Sequence, residues 1–343
     1  MTLKLGARRI GPGEPVFVIA EACDNHLGSL EVAKTMVRMA KLAGADAIKF
    51  QHHLPDEEML PEVPRSANFD EDQPLYEFLK RHALTLDAHR VLKGYCESLG
   101  ILYLCTPFSY RAAQELQGLG VVAFKIGSGE MTDLPSLRRI AAFGKPMLLS
   151  TGMSTLEEID ETIHALTQAE ATFGLLHCVS EYPPRYDDMN LGVITLLKQR
   201  YPHLVIGHSD HTPDLYTAFA AVALGASIIE KHVTLDTLQR GPDQAVSIDM
   251  MALKTLVDGI RKIERSLGCV KQVHALERPI RAWAFRSVVS TRPLAAGERI
   301  TNDAVWTKRP GTGIPAKQLP ELIGKRVKRN LPANTLLSWN DLE

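Results

Sequence analysis

The sequence predicts an α/β protein: a (β/α)8 TIM barrel over residues 1–269, a linker at 270–282, and a small domain at 283–343. Three observations lead there. Eight short apolar or β-branched runs alternate with helical patterns through the first three-quarters of the chain, the order of closed parallel βα units. No GxGxxG follows the first run, which disfavours an open doubly wound sheet. After Cys269 the alternation stops.

The eight runs are 16–20, 45–50, 101–105, 121–126, 146–149, 172–177, 204–206 and 227–229. Each has strand length and lies between helical patterns. SLEVAKTMVRMAKLAG reads as a helix capped by Ser29, with Ala33, Met36 and Ala40 on one face and Gly44 as its stop. STLEEIDETIHAL reads as another, with Ser154 and Glu157 as a capping box and Leu156, Ile159, Ile163 and Leu166 at helical spacing. Residues 270–282 are polar and charged, with no clear core face. From Trp283 on, turns punctuate short segments, giving a domain of about 60 residues, near the lower limit for independent folding. Such a domain is expected to lean on the barrel or on a partner subunit.

Bulk properties narrow the function classes. The 343 residues are 45% hydrophobic and 23% charged, an ordinary globular balance for two domains. A formal net charge of −1 offers no field for nucleic acid or an anionic membrane. No apolar run is long enough to span a bilayer, and MTLKLGARRIGPGEP lacks the core of a secretory signal. Cys23, Cys96, Cys105, Cys178 and Cys269 are scattered, with no CxxC, which fits reduced thiols and a cytoplasmic location.

In such a barrel, chemistry sits at the C-terminal ends of the strands. Those ends carry Glu21; Lys49 and Gln51; Thr106; Lys125, Ser128 and Glu130; Ser150; Ser180 and Tyr182; Ser209 and His211; and Glu230, Lys231 and His232. Lys49 and Lys125 supply point charges for phosphate or carboxylate. KIGSGE and LLSTGM supply hydroxyls, and glycines that let backbone N–H groups approach an anion. His211 and His232 end neighbouring strands and are candidate ligands for one divalent metal. Glu21 ends an apolar strand and needs a partner, either a sugar hydroxyl, a transferred proton or a barrel lysine. His26 and His177 read as structural or substrate-orienting. His52 and His53 look exposed and receive no role. Cys178 follows a buried strand without an evident base and reads as core.

In order, AEACDNHLGS, IKFQ, CTPFS, KIGSGE, LLSTGM, LHCVSEYP, GHSDHT, EKHVT and GPD resemble the sialic acid synthase family, which includes N-acetylneuraminate synthases and their legionaminic and pseudaminic relatives. AFRSVV and KRPGTGI resemble that family's C-terminal antifreeze-like (SAF) domain. The resemblance covers essentially the whole chain. It implies a carbon–carbon bond-forming transferase that uses phosphoenolpyruvate, an N-acylated amino sugar in its aldehyde form, and a divalent metal, Mn²⁺ foremost, with Mg²⁺ or Co²⁺ as alternatives. By resemblance Lys49, Thr106, Lys125, Ser128, Ser150, Ser180 and Ser209 bind phosphoenolpyruvate, and His211 and His232 hold the metal. Glu21, Gln51, Tyr182, Asp243, Trp283 and Arg309 face the sugar, Arg309 reaching in from the small domain of a domain-swapped homodimer. Glu21, then Glu130, are the expected proton-handling groups beside the catalytic lysines. Ser180 replaces an Asn of some members, Trp283 another aromatic, and Cys23 and Asp24 stand where the commonest pattern has small or apolar residues.

The rivals are a Schiff-base pyruvate aldolase using Lys49 or Lys125, an enzyme making shorter keto acids from phosphorylated sugars, and a non-catalytic carbohydrate-binding or spore-coat protein. Glu21, Lys49, Lys125, His211 and His232 together argue against the last.

Overall fold

The computed structural model describes residues 2–62, 74–238 and 243–343. The chain forms two compact units, Met1–Gly268 and Cys269–Glu343. The first begins with an antiparallel hairpin of β1 (Leu3–Leu5) and β2 (Arg8–Ile10). Eight parallel strands follow: β3 (Phe17–Glu21), β4 (Ala47–His52), β5 (Leu102–Pro107), β6 (Phe124–Ile126), β7 (Met147–Ser150), β8 (Phe173–Cys178), β9 (Val205–Asp210) and β10 (Ile228–Thr234). Their hydrogen-bonded order is β5-β4-β3-β10-β9-β8-β7-β6, a nearly closed barrel whose seam lies between β5 and the three-residue β6.

Alternation along the strands explains both the core and the site. Successive strand residues point to opposite faces. Phe17, Ile19, Ala47, Leu104, Leu148, Leu176, Val205 and Ile228 form one apolar cluster, the barrel interior. Val18, Ala20, Ile48, Phe50, Ile126, Leu149, Leu175, Ile206 and Ile229 belong to the other, packed with the helices. The hairpin's Leu3, Leu5 and Ile10 join the interior cluster and close it on its apolar side. Each fully buried side chain of this size contributes about 1.5–3 kcal/mol of transfer free energy. Two residues beyond Ile19, Ala47, Leu104, Leu148 and Ile228, on the same face, the columns change to Glu21, Lys49, Thr106, Ser150 and Glu230. The interior is therefore apolar at one end and ionic at the other.

Several strands run past the apolar runs that signalled them. β9 continues through Ser209 and Asp210, and β10 through Glu230, Lys231 and His232. Hydrophobic pattern misses these residues because they are polar, yet the fold buries them. On the outer face Lys231 donates to Asp210 at 3.0 Å, and Thr217 caps the same carboxylate at 2.7 Å. Lys231 is thus a framework residue and not part of the rim.

The helix Leu30–Ala43 has the expected caps: Ser29 accepts from Val32 N–H, and Gly44 ends the helix at φ 90°. The capping box of the helix Leu156–Gln168 is one residue later than expected, formed by Thr155 and Glu158. Thr155 has the extended backbone a cap needs, while the Ser154 hydroxyl donates to the Gly152 carbonyl. Among the described residues no helix is long and apolar enough to cross a membrane.

The second unit pairs β12 (Ser287–Ser290) with β13 (Val305–Lys308), the short β11 (Ile248–Asp249) lying beside β10 in the first unit. It buries its own cluster, including Val288, Leu294, Ile300, Ile314, Val327, Leu331 and Leu337. The stretch read as a linker, 270–282, holds most of the helix Glu277–Ala284, which runs on through Trp283. Leu276, Ile280 and Trp283 recur at helical spacing and are exposed, so this segment has an apolar face after all. Its charged residues mask that face in a sequence average.

Candidate active site

The polar end of the barrel encloses a cavity of about 280 Å³. Glu21, Lys49, Gln51, Thr106, Lys125, Ser128, Glu130, Ser150, Ser180, Tyr182, Ser209, His211 and His232 all line it. Asp243 stands beside this set, near Cys23 and His232. Trp283 and Arg309 belong to the second unit, where the guanidinium lies 5.1 Å from the indole centroid and Nε donates to the Ala284 carbonyl. Of the GPD motif, Gly241 and Pro242 lie outside the described residues.

Two buried ammonium groups dominate the charge. Lys49 Nζ is 2.7 Å from Glu21 Oε2 and donates to Thr106 Oγ1 at 3.0 Å. Lys125 Nζ donates to Ser150 Oγ at 2.6 Å and to the Ile126 carbonyl at 3.1 Å. Sequence reasoning gave Glu230 no role, yet its Oε1 sits 3.8 Å from Lys49 and 3.6 Å from Lys125 and accepts from Ser209 Oγ at 3.0 Å. The available signal was its position two residues before His232 on one strand, which puts both side chains on the interior face.

Burial alone would discharge these groups. For Lys49 the carboxylates of Glu21 and Glu230 outweigh burial and hold it up to about 12. For Lys125 burial outweighs Glu230, and the value falls below the ordinary lysine range. Burial raises Glu21 to about 7 against the pull of Lys49. Burial also raises Glu130 to about 7, with Glu58 adding to it and Lys125 opposing. The cavity therefore combines fixed cations with two carboxyls able to hold or release a proton near neutrality.

Glycines shape the anion-facing wall. A Cβ on Gly152 would stand 2.2 Å from Ser180 Oγ and 2.7 Å from Ser128 Oγ, so a side chain there would push two hydroxyls apart. Gly152 N–H donates to Ser128 Oγ at 3.1 Å. A Cβ on Gly127 would meet Glu130 Oε2 at 2.4 Å, so the glycine makes room for that carboxylate. Close approach is the reason for both residues.

The histidine pair suits a metal. The His211 and His232 rings are 5.1 Å apart, edge to face. His211 Nδ1 donates to the Val179 carbonyl at 2.8 Å, which leaves Nε2 as its ligand atom, hydrogen-bonded at 3.3 Å to the Tyr182 hydroxyl that an ion would replace. His232 Nδ1 is buried without a partner. Burial, then the charge on His211, hold His232 well below the usual histidine range, in the neutral form a metal needs. The donors and the orphaned nitrogen fit a divalent ion. Cys178, read as core, lines this cavity, and its Sγ lies 3.9 Å from His211 Nδ1.

The sugar-facing candidates form a relay. Gln51 Nε2 donates to Glu21 Oε1 at 2.8 Å, and Gln51 Oε1 meets His53 Nε2 at 3.0 Å. His52 and His53 are buried, contrary to the reading of an exposed pair. His52 pairs with Glu115 at 2.9 Å, and His53 with Glu58 at 2.9 Å while stacking on Phe108. Burial opposes protonation of His53, but Asp24 and Glu58 raise it above the ordinary value. Both histidines follow strand β4's apolar core directly, and their carboxylate partners are distant in sequence or on a short helix, so no local pattern reveals their burial. His26 is buried and accepts from Gly28 N–H, and His177 Nε2 donates to the Met189 carbonyl; both are structural contacts.

Residues 36–272 match the NeuB family, and residues 285–343 match the SAF domain. The chain is 37% identical to the N,N'-diacetyllegionaminic acid synthase of Legionella pneumophila, over 98% of each protein. It is 33% identical to the human (Homo sapiens) N-acetylneuraminate-9-phosphate synthase, over 93% of this chain and 90% of that one. The crystal structure of the N-acetylneuraminic acid (sialic acid) synthetase from Leptospira borgpetersenii, in complex with citrate, superposes with a TM-score of 0.74 at 34% identity, covering 82% of this chain and 95% of that one. With the barrel, the charged cavity and these full-length similarities in agreement, the chain belongs to the NeuB family of sialic-acid-type synthases and carries a C-terminal SAF domain.

Proposed function

We propose that this protein condenses phosphoenolpyruvate with an open-chain N-acylated mannose-type amino sugar, N-acetylmannosamine foremost, to give a nine-carbon acid of the N-acetylneuraminate type. The observation that carries the reading is the single cavity in which two buried lysines, four serine hydroxyls and a histidine pair meet. Lys49, Lys125, Thr106, Ser128, Ser150, Ser180 and Ser209 bind the phosphate and carboxylate of phosphoenolpyruvate. His211 and His232 hold a divalent ion, Mn²⁺ foremost, which when bound supplies Lewis acidity to the aldehyde oxygen. Glu21 and Gln51 orient the sugar with Tyr182 and Asp243. The alkene carbon of phosphoenolpyruvate bonds to the aldehyde carbon, and water adds to the phosphate-bearing carbon. The carbon–oxygen bond then breaks and phosphate leaves with the bridging oxygen. Glu21, or Glu130 after it, moves the proton at the aldehyde oxygen. The lysines stabilise the phosphate charge throughout.

A legionaminate-type product is the second reading, favoured by the similarity to the Legionella enzyme. A Schiff base at Lys49 is disfavoured because Glu21 and Glu230 hold its ammonium protonated, which withholds the amine lone pair; at Lys125, whose value burial lowers, borohydride trapping decides. The exposed Leu276, Ile280 and Trp283 support a homodimer in which the second unit of one subunit brings Arg309 to its partner's barrel.

The test is a substrate panel that reads phosphate release: N-acetylmannosamine, a diacetamido sugar and phosphorylated sugars, each with phosphoenolpyruvate. We expect release that needs both substrates, stops on chelation and returns with Mn²⁺. Trapping of pyruvate by borohydride, or release with no sugar dependence, contradicts the proposal.

A further inference from the structure

We propose that Cys23 is a thiolate ligand of the metal at His211 and His232. This rests on the two-histidine reading and adds a ligand of different chemistry. The ligand atoms of Cys23, His232 and Asp243 all lie within 4.8 Å of one another. The His211 ring lies 5.1 Å from the His232 ring, centroid to centroid. His232 Nδ1 is buried and bonds to nothing, an imidazole nitrogen in want of a partner. Cys23 is fully buried and does not face the cavity, so an ion between these groups would be screened from solvent on its thiol side.

The backbone adds a separate observation. Cys23 has φ 40°, in the left-handed region that costs a side-chain-bearing residue about 1–3 kcal/mol. The conformation places Cys23 two residues beyond Glu21, the last residue of β3, with its sulfur within 4.8 Å of a ring nitrogen of His232 on the neighbouring β10. A glycine would take this turn without strain, so the fold itself does not require a sulfur here.

Two imidazoles and one thiolate are a three-ligand set that leaves a position on the ion open for the aldehyde oxygen. A thiolate favours softer ions over Mn²⁺ more strongly than nitrogen and oxygen donors do. On binding, the thiol S–H bond breaks, the proton leaves, and the sulfur lone pair goes to the ion. No electron is transferred. Cys23 would therefore set which metal the enzyme prefers and release one proton more than histidines alone.

The experiment loads the metal-free full-length protein with one equivalent of Co²⁺. The visible ligand-field bands report that an ion is held; near-ultraviolet thiolate-to-cobalt charge transfer reports sulfur. We expect the charge-transfer band in wild type and Cys178→Ser, and its loss in Cys23→Ser and Cys23→Gly, with one proton fewer released. Cys23→Gly removes the strained side chain and so keeps the variant folded, as a melting curve will show. The preference for Zn²⁺ over Mn²⁺ should fall at least about tenfold in both Cys23 variants. Bound Co²⁺ without charge transfer, or a band that survives Cys23→Gly or disappears in Cys178→Ser, overturns the proposal. If Co²⁺ does not bind at all, or binds unchanged in His232→Ala, the two-histidine reading fails, which is a different result.

Discussion

Lys125→Met is expected to lower phosphate release by about a thousandfold or more, because in the proposed reaction it removes a buried charge that stabilises the departing phosphate. Methionine keeps most of the apolar stem, one heavy atom short of lysine, so lost packing contributes little to the effect. The change also has a structural cost that must be separated from catalysis. Glu230 is buried between Lys125 and Lys49, and losing one cation leaves its carboxylate undercompensated. Breaking such a buried pair costs about 3–5 kcal/mol. Adding Glu230→Gln removes the stranded charge, so the double variant should regain much of the lost melting temperature. It should not regain activity. Recovery of activity together with stability would show that Lys125 serves only to hold the barrel together.

If Arg309 completes the site as proposed, Arg309→Ala lowers turnover by about a hundredfold while leaving the barrel folded, through loss of a charge-assisted contact to the sugar's N-acyl group. The guanidinium is exposed and held over Trp283, an arrangement that keeps its planar fork oriented. If the sites are shared between subunits, co-expression of Arg309→Ala with Lys49→Ala restores activity. Each mixed dimer then has one site with both lesions and one with neither, and random pairing gives about a quarter of wild-type sites. Isolated mixed dimers with no activity would show that each chain supplies its own Arg309.

The barrel was legible because its strands and helices have different hydrophobic periods, and because polar residues recur where each apolar run ends. Lys49, Lys125, His211 and His232 could be found that way, each lying at or just past the end of an apolar run. Glu230 was visible but had no assigned partner, since its two lysines come from β4 and β6, far away in the chain. The buried His53 was hidden for the same reason: its burial depends on Asp24, Glu58 and Phe108, which only the folded chain brings together. The N-terminal hairpin escaped notice because three-residue strands carry almost no periodic signal. Cys23 stood out as a departure from the commonest family pattern, but only the fold sets it beside His232 and Asp243.

The central claim is that phosphoenolpyruvate is cut at carbon–oxygen while its alkene carbon joins a sugar aldehyde. The most direct test uses phosphoenolpyruvate carrying heavy oxygen at the bridging position, with N-acetylmannosamine as acceptor and mass spectrometry of both products. The account predicts the label wholly in the released phosphate and an unlabelled nine-carbon acid. Label retained in the sugar acid, with unlabelled phosphate, would mean attack at phosphorus and would contradict it.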